Sequence, residues 1–227
     1  MEKKIKIKTK KNLALAISLI GVFILWTLLL QFVDVQSIGP QGSSVGFATL
    51  NGFVRDIVGS NLLLYIITDW LGLVPIAVAF GFAIFGVAQL IKRKSLLRVD
   101  FSIIVLGIFY IAVIFVYILF EFVVINYRPI LINGYLEVSY PSSTTMLVMT
   151  VIPTAIMQFN LRIKNKIFKR TLIAIMVFFI AFMVIGRIIS GVHWISDIIG
   201  GALISSGLVM CYYFFLSNDN FKFNKRE

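Results

Sequence analysis

An all-α membrane protein with six transmembrane helices is the fold class this sequence predicts, and three observations predict it. Apolar residues make up 59% of the chain and charged residues only 14%, with a mean hydropathy of +0.98. A soluble domain carries about 45–50% apolar and about 25% charged residues. Six apolar runs each approach the length of about 20 helical residues that crosses a hydrocarbon core. The basic residues border those runs: of 21 Lys and Arg, all but Arg55, Arg128 and Arg187 lie in the leader, two short turns and the tail.

The runs follow in order. A lysine-rich leader, residues 1–12, precedes a first span from Leu13 to Phe32. That span is longer than a signal-peptide core of about 7–15 residues and lacks a convincing cleavage site, so it is expected to be retained. Residues 33–61 are rich in Gly, Ser and Gln and contain Pro40, which marks a loop. Within it Phe47, Leu50, Val54 and Ile57 recur at helical spacing around Asn51, Arg55 and Asp56, which suits either a short interfacial helix or an ordered loop.

The second span is expected over Leu71–Leu90, with Trp70 as interface anchor and Leu62–Ile67 either dipping into the membrane or extending the helix. A basic turn holding Lys92, Arg93, Lys94 and Arg98 leads to the third span, about Phe101–Ile125. A polar loop with Arg128 and Pro129 ends at Pro141-Ser142, and the fourth span covers about Thr145–Leu161. After Arg162, Lys164, Lys166, Lys169 and Arg170 come the fifth and sixth spans, about Thr171–Ile185 and Ile195–Leu216, and a tail with Lys222, Lys225 and Arg226. No internal repeat or linker divides the chain, so residues 1–227 are expected to form one domain. Cys211 stands alone in an apolar run and reads as a buried thiol, and no disulfide can form within the chain.

The net charge of +11 is a matter of topology here, not of nucleic-acid binding. By the positive-inside rule both termini are expected to face the cytoplasm. Arg128, Ser142, Arg187 and His193 then fall at the opposite, outer face, with Asp197 one turn inside it.

These residues carry chemistry. His193 is the only histidine, with Arg187 six residues before it and Asp197 four after. If helix begins at or just before His193, the i, i+4 spacing lets Asp197 accept from one ring nitrogen and leaves the other free. Arginine offers a planar fork that matches phosphate oxygens. Ser142, Ser143 and the free N–H groups of a helix start add donors for an anion. His193 can then attack phosphorus and pass through a phosphohistidine. The reaction class is hydrolysis of a phosphate ester or diphosphate. No acidic or His/Cys cluster of metal-binding type occurs in the sequence, so a metal-free, cofactor-free mechanism is expected.

With these residues the sequence resembles the type-2 phosphatidic acid phosphatases, membrane lipid phosphatases that share a core with vanadium haloperoxidases. Their motifs are Lys-x6-Arg-Pro, Pro-Ser-Gly-His and Ser-Arg-x5-His-x3-Asp. Here EFVVINYRP matches the first at Arg128-Pro129, PSST matches the second at Pro141 and Ser142, and GRIISGVHWISD matches the third at Arg187, His193 and Asp197. The resemblance covers about residues 100–216, and only the third motif is specific. It implies His193 as nucleophile, Asp197 as its orienting partner, and Arg128, Ser142 and Arg187 as phosphate ligands. It implies a phosphorylated membrane lipid as substrate, in the plasma or inner membrane of a bacterial-type cell envelope. An undecaprenyl or other polyprenyl diphosphate comes first, then phosphatidylglycerol phosphate or phosphatidic acid.

Three positions depart from the motifs. Glu121 stands where the family has Lys, and either pairs with an arginine two helical turns on or faces substrate. Gly186 replaces the motif serine. Thr144 replaces the second-motif histidine, the family's general acid; a positioned acid is worth on the order of 10²–10⁴ in rate, and less when the leaving group is itself a phosphate. Three readings of Thr144 stand at this point: an engineered inactivating substitution, a weak or diphosphate-selective hydrolase, or a catalytically silent lipid-phosphate binder or carrier. A small transporter would need a polar site near the midplane or broken helices, and these polar residues gather at one end. Asp69 reads as interfacial, Tyr127 and Tyr135 as belt aromatics, and Phe178, Phe179 and Phe182 as packing or lipid-facing residues.

Overall fold

A computed structural model describes residues 2–218, with side chains from Lys10 onward; Lys222, Lys225 and Arg226 of the expected polar tail lie outside the described residues. Eight α-helices follow one another: α1 (Glu2–Phe32), α2 (Ala48–Val58), α3 (Leu62–Leu71), α4 (Leu73–Arg93), α5 (Phe101–Phe122), α6 (Ser143–Arg162), α7 (Lys166–Ser190) and α8 (Ile195–Ser217). Among the described residues six helical segments are long and apolar enough to span a membrane, α3 and α4 counting as one from Leu62 to Arg93. The all-helical, six-span expectation is met.

The second span is broken, which the hydropathy pattern leaves open. Gly72 joins α3 to α4, and Pro75 has no N–H to give the carbonyl of Leu71. The Leu62–Ile67 stretch is helix. The third span ends at Phe122, short of the expected Ile125, because the chain turns there to bring Asn126 into the interior.

α6 and α8 are the most buried spans, and α8 also packs along α1. α6 is the least apolar span because its polar side chains face protein. Thr150 and Thr154 satisfy their buried hydroxyls on carbonyls one turn back, at 2.7 and 2.9 Å. Small residues let helices approach: a side chain at Gly207 would meet Ile20 of α1 at 2.8 Å. The remaining spans turn bulky apolar side chains outward, as with Leu25, Phe80, Ile111, Phe115 and Phe178, forming an apolar girdle.

The two ends differ. At the end carrying the basic turns, Asp100 takes Arg93 at 2.9 Å and Arg162 at 3.5 Å, and Gln89 donates to it at 2.9 Å. That clasp ties α4, α5 and α6 together. At the other end lie α2, the 123–142 loop and the α7–α8 turn. The expected helix in the first loop is present as α2, with Leu50, Phe53 and Ile57 exposed. Its inner face is docked instead of free: buried Asn51 donates to Ser196 Oγ (3.0 Å) and accepts from Ser196 N (3.1 Å).

Candidate active site

The start of α8 sets the site. Asp197 is the third residue of that helix; its carboxylate accepts from Trp194 N at 3.0 Å while its own N–H donates to the Trp194 carbonyl at 3.0 Å. A carboxylate in a first turn completes a cap and suits the helix dipole. The helix therefore begins at Ile195, and His193 lies before it, not on its face. The consequence corrects the spacing argument: His193 Nδ1 and Asp197 Oδ2 are 3.9 Å apart, too far for a hydrogen bond.

The ring is held by the peptide of Ser139 instead, with Nδ1 3.1 Å from its carbonyl oxygen. Asp197 in turn holds that residue, accepting from Ser139 Oγ at 2.8 Å and from Asn126 Nδ2 at 2.9 Å. Asp197 is fully buried, and these donors satisfy it.

Both motif arginines meet the other ring nitrogen. Arg128 Nη1 and Arg187 Nη2 each stand 3.3 Å from His193 Nε2. Guanidinium only donates, so Nε2 carries the lone pair and Nδ1 the proton, shared with the Ser139 carbonyl. Burial first, then the positive charges of Arg128 and Arg187, hold the His193 ring well below its ordinary pKa of 6.5; the Ser139 contact opposes them. The ring is neutral and nucleophilic at Nε2.

The arginines keep a positive surplus. Arg128 Nε lies 3.0 Å from Glu137 Oε2, an ion pair whose N–H is not aligned for a hydrogen bond. Arg187 is buried; its Nη1 reaches Thr68 Oγ1 at 3.3 Å and Asp69 Oδ1 at 3.9 Å, and its Nε has no partner among the described residues. The Tyr65 ring lies under both cations, 5.1 Å from Arg187 Cζ and 5.9 Å from Arg128 Cζ. Two guanidiniums converging on a neutral ring, with carboxylates only at their far edges, define an anion site.

The remaining sequence-predicted residues are placed differently. Ser142 is fully buried; its hydroxyl accepts from Thr145 Oγ1 at 3.0 Å and its N–H donates to the Asp197 carbonyl at 3.0 Å. Ser143 and Thr144 are half-buried and line a cavity of about 500 Å³ with Asp69, Gly72, Tyr110 and Tyr117, between α3–α4, α5 and α6. Glu121 does not pair with Arg128, which has Glu137 instead; it sits exposed at the end of α5 beside Tyr117. Tyr135 is exposed, whereas the Tyr127 carbonyl accepts from Trp194 Nε1 at 2.7 Å.

Sequence reasoning missed Tyr65, Thr68, Asn126, Glu137 and Ser139, and read Asp69 as merely interfacial. The one signal for them is a polar residue beside an apolar run, which many interfacial residues share. Two glycines explain how close the pieces come. A side chain at Gly200 would meet the Tyr140 ring at 2.5 Å, and one at Gly186 would meet Thr68 Cγ2 at 2.7 Å. The departure at Gly186 is thus what lets α7 bring Arg187 against α3.

A six-span membrane protein with an arginine-flanked histidine at one end is the class that fold and cluster define. Residues 122–221 match the family model of the PAP2 superfamily, and the resemblance read from the motifs is borne out. No curated protein sequence matches the chain. Among solved structures, the chain is similar to the first transmembrane PAP2 type phosphatidylglycerolphosphate phosphatase from Bacillus subtilis, with a TM-score of 0.55 and 17% identity over 93% of this chain and 98% of that one. At that identity the likeness is one of fold. Together the partial family match and the fold support a multi-pass membrane protein with a PAP2-like core.

Proposed function

We propose that this protein removes phosphate from a membrane lipid phosphate or diphosphate through a phosphohistidine at His193. The observation that carries the reading is the pair of 3.3 Å contacts from Arg128 and Arg187 to His193 Nε2. An incoming phosphate takes over those donors, which places phosphorus next to the lone pair they release. Nε2 attacks phosphorus, the bond to the leaving oxygen breaks, and the guanidiniums stabilise charge on the remaining oxygens. The Ser139 carbonyl keeps the Nδ1 proton in place and balances the ring as it becomes cationic. Asp197 acts through Ser139 and Asn126 as a positioning residue. Water then cleaves the P–N bond. No step calls for a metal.

The substrate best suited to Thr144 is a diphosphate, whose leaving group is itself a phosphate and needs little acid catalysis. A polyprenyl diphosphate such as undecaprenyl diphosphate therefore comes first, ahead of phosphatidylglycerol phosphate and phosphatidic acid. Residues 1–227 act as one domain with its motif-bearing core over 100–216. Both termini are cytoplasmic, and the site faces outward in the plasma or inner membrane.

The alternative is a silent binder or carrier of lipid phosphates, favoured by the one observation that the acid position holds threonine. Phosphate release from a panel of lipid mono- and diphosphates, measured on the parent and on Thr144→His, separates the two. Turnover of diphosphate by the parent, extended to monophosphates by Thr144→His with a gain of about 10²-fold or more, supports the enzyme. Vanadate binding with no phosphate release from either protein supports the binder.

A further inference from the structure

Resting on that reading, we infer that Asp69 is the general base that activates water to hydrolyse the phosphohistidine. The in-line geometry of phosphoryl transfer requires water to approach phosphorus from the side opposite His193 Nε2, the side the lipid leaving group has vacated. His193 does not line the 500 Å³ cavity; Asp69, Ser143 and Thr144 do. Asp69 links this cavity to Arg187 of the anion site, and on that ground the leaving group and the entering water are routed through it. Thr144 supplies no base there.

Among the described carboxylates near the cluster, Asp69 both lines this cavity and touches an arginine of the anion site, 3.9 Å from Arg187 Nη1. Glu137 meets Arg128 from the loop side and does not line the cavity, Glu121 touches neither arginine, and Asp197 is enclosed by its own donors. The Asp69 side chain is 58% exposed, so a proton taken there is not enclosed by protein.

The step balances. The oxygen of water bonds to phosphorus, the P–Nε2 bond breaks with its electron pair returning to the imidazole, and one water proton moves to the Asp69 carboxylate. Inorganic phosphate leaves, and Asp69 returns the proton to bulk water. Asp69 is then needed after the first product has left, not before.

Rapid-quench kinetics on a polyprenyl diphosphate in detergent test this, reading lipid monophosphate and inorganic phosphate separately, with acid-labile phosphohistidine trapped on the protein. Asp69→Asn is expected to keep a stoichiometric burst of lipid monophosphate, to accumulate phosphohistidine, and to lose steady-state phosphate release by about 10²-fold or more. Thr144→His in the Asp69→Asn background is expected to restore turnover, and Asp56→Asn on exposed α2 to behave as the parent. Unchanged phosphate release by Asp69→Asn overturns the role while the phosphatase reading stands. Loss of the burst along with turnover also overturns it, since that is what mere support of Arg187 produces. A parent without turnover on any lipid overturns both.

Discussion

His193 and Ser139 are joined by a 3.1 Å contact between a ring nitrogen and a peptide carbonyl, and the carboxylate four residues after the histidine acts one remove away. A carbonyl cannot be protonated near neutral pH. The tautomer of His193 is therefore fixed by the backbone, and Asp197 fixes the backbone.

The imidazole offers a direct check, because the chain has one histidine and gives one signal. In ¹⁵N-histidine NMR of the detergent-solubilised protein, His193 is expected to keep the neutral Nδ1–H pattern well below pH 6.5. Its folded-state pKa is depressed by burial and by both arginines. Below pH 6.5 the unfolded ring gains a proton that the folded ring refuses, so stability falls with pH from that point until the folded ring also protonates. A ring that titrates near 6.5 contradicts the arrangement.

Arg187→Lys should not substitute for arginine. The fork of Arg187 serves Nε2 through one terminal nitrogen and Thr68 through the other, and lysine is a single point of charge. Both Arg187→Lys and Arg187→Ala are expected to lower kcat/KM by about 10²-fold or more, and to weaken vanadate binding measured by calorimetry.

Restoring the motif serine at position 186 should do harm. Its Cβ would come within 2.7 Å of Thr68 Cγ2, and Thr68 is pinned by bonds to Leu64 O, Tyr65 O and Arg187. Gly186→Ser is expected to cost about 1–3 kcal/mol by overpacking, read as a lowered Tm. Adding Thr68→Ser, which deletes the methyl, is expected to recover most of it.

Asp197→Ala leaves Asn126, Ser139 and the Trp194 N–H without their shared acceptor in a fully buried place. The expected loss is about 3 kcal/mol. Glu137→Gln removes a pair whose carboxylate is 42% exposed and is expected to cost less than about 1 kcal/mol. Thermal unfolding of the two variants side by side checks the ordering.

The spans, His193 and the two arginines at its Nε2 were legible because each leaves a local mark: an apolar run of fixed length, or an uncommon residue at fixed spacing. The partners of those residues were not. Ser139 contributes a carbonyl that every residue has, Asn126 and Glu137 lie in a loop with no periodic pattern, and Tyr65 and Asp69 lie far from the motifs in sequence. The spacing of His193 and Asp197 misled for a related reason. Four residues on a helix share a face, but Asp197 itself caps α8 and so ends the helix before His193.

The break at Gly72 and Pro75 leaves α3 as a short rod jointed to the rest of its span. Tyr65, Thr68 and Asp69 ride on that rod, and each grips Arg187 in a different way. Because all three contacts come from one short helix, ring contact, hydrogen bond and ion pair on Arg187 are set together by where α3 lies against α7.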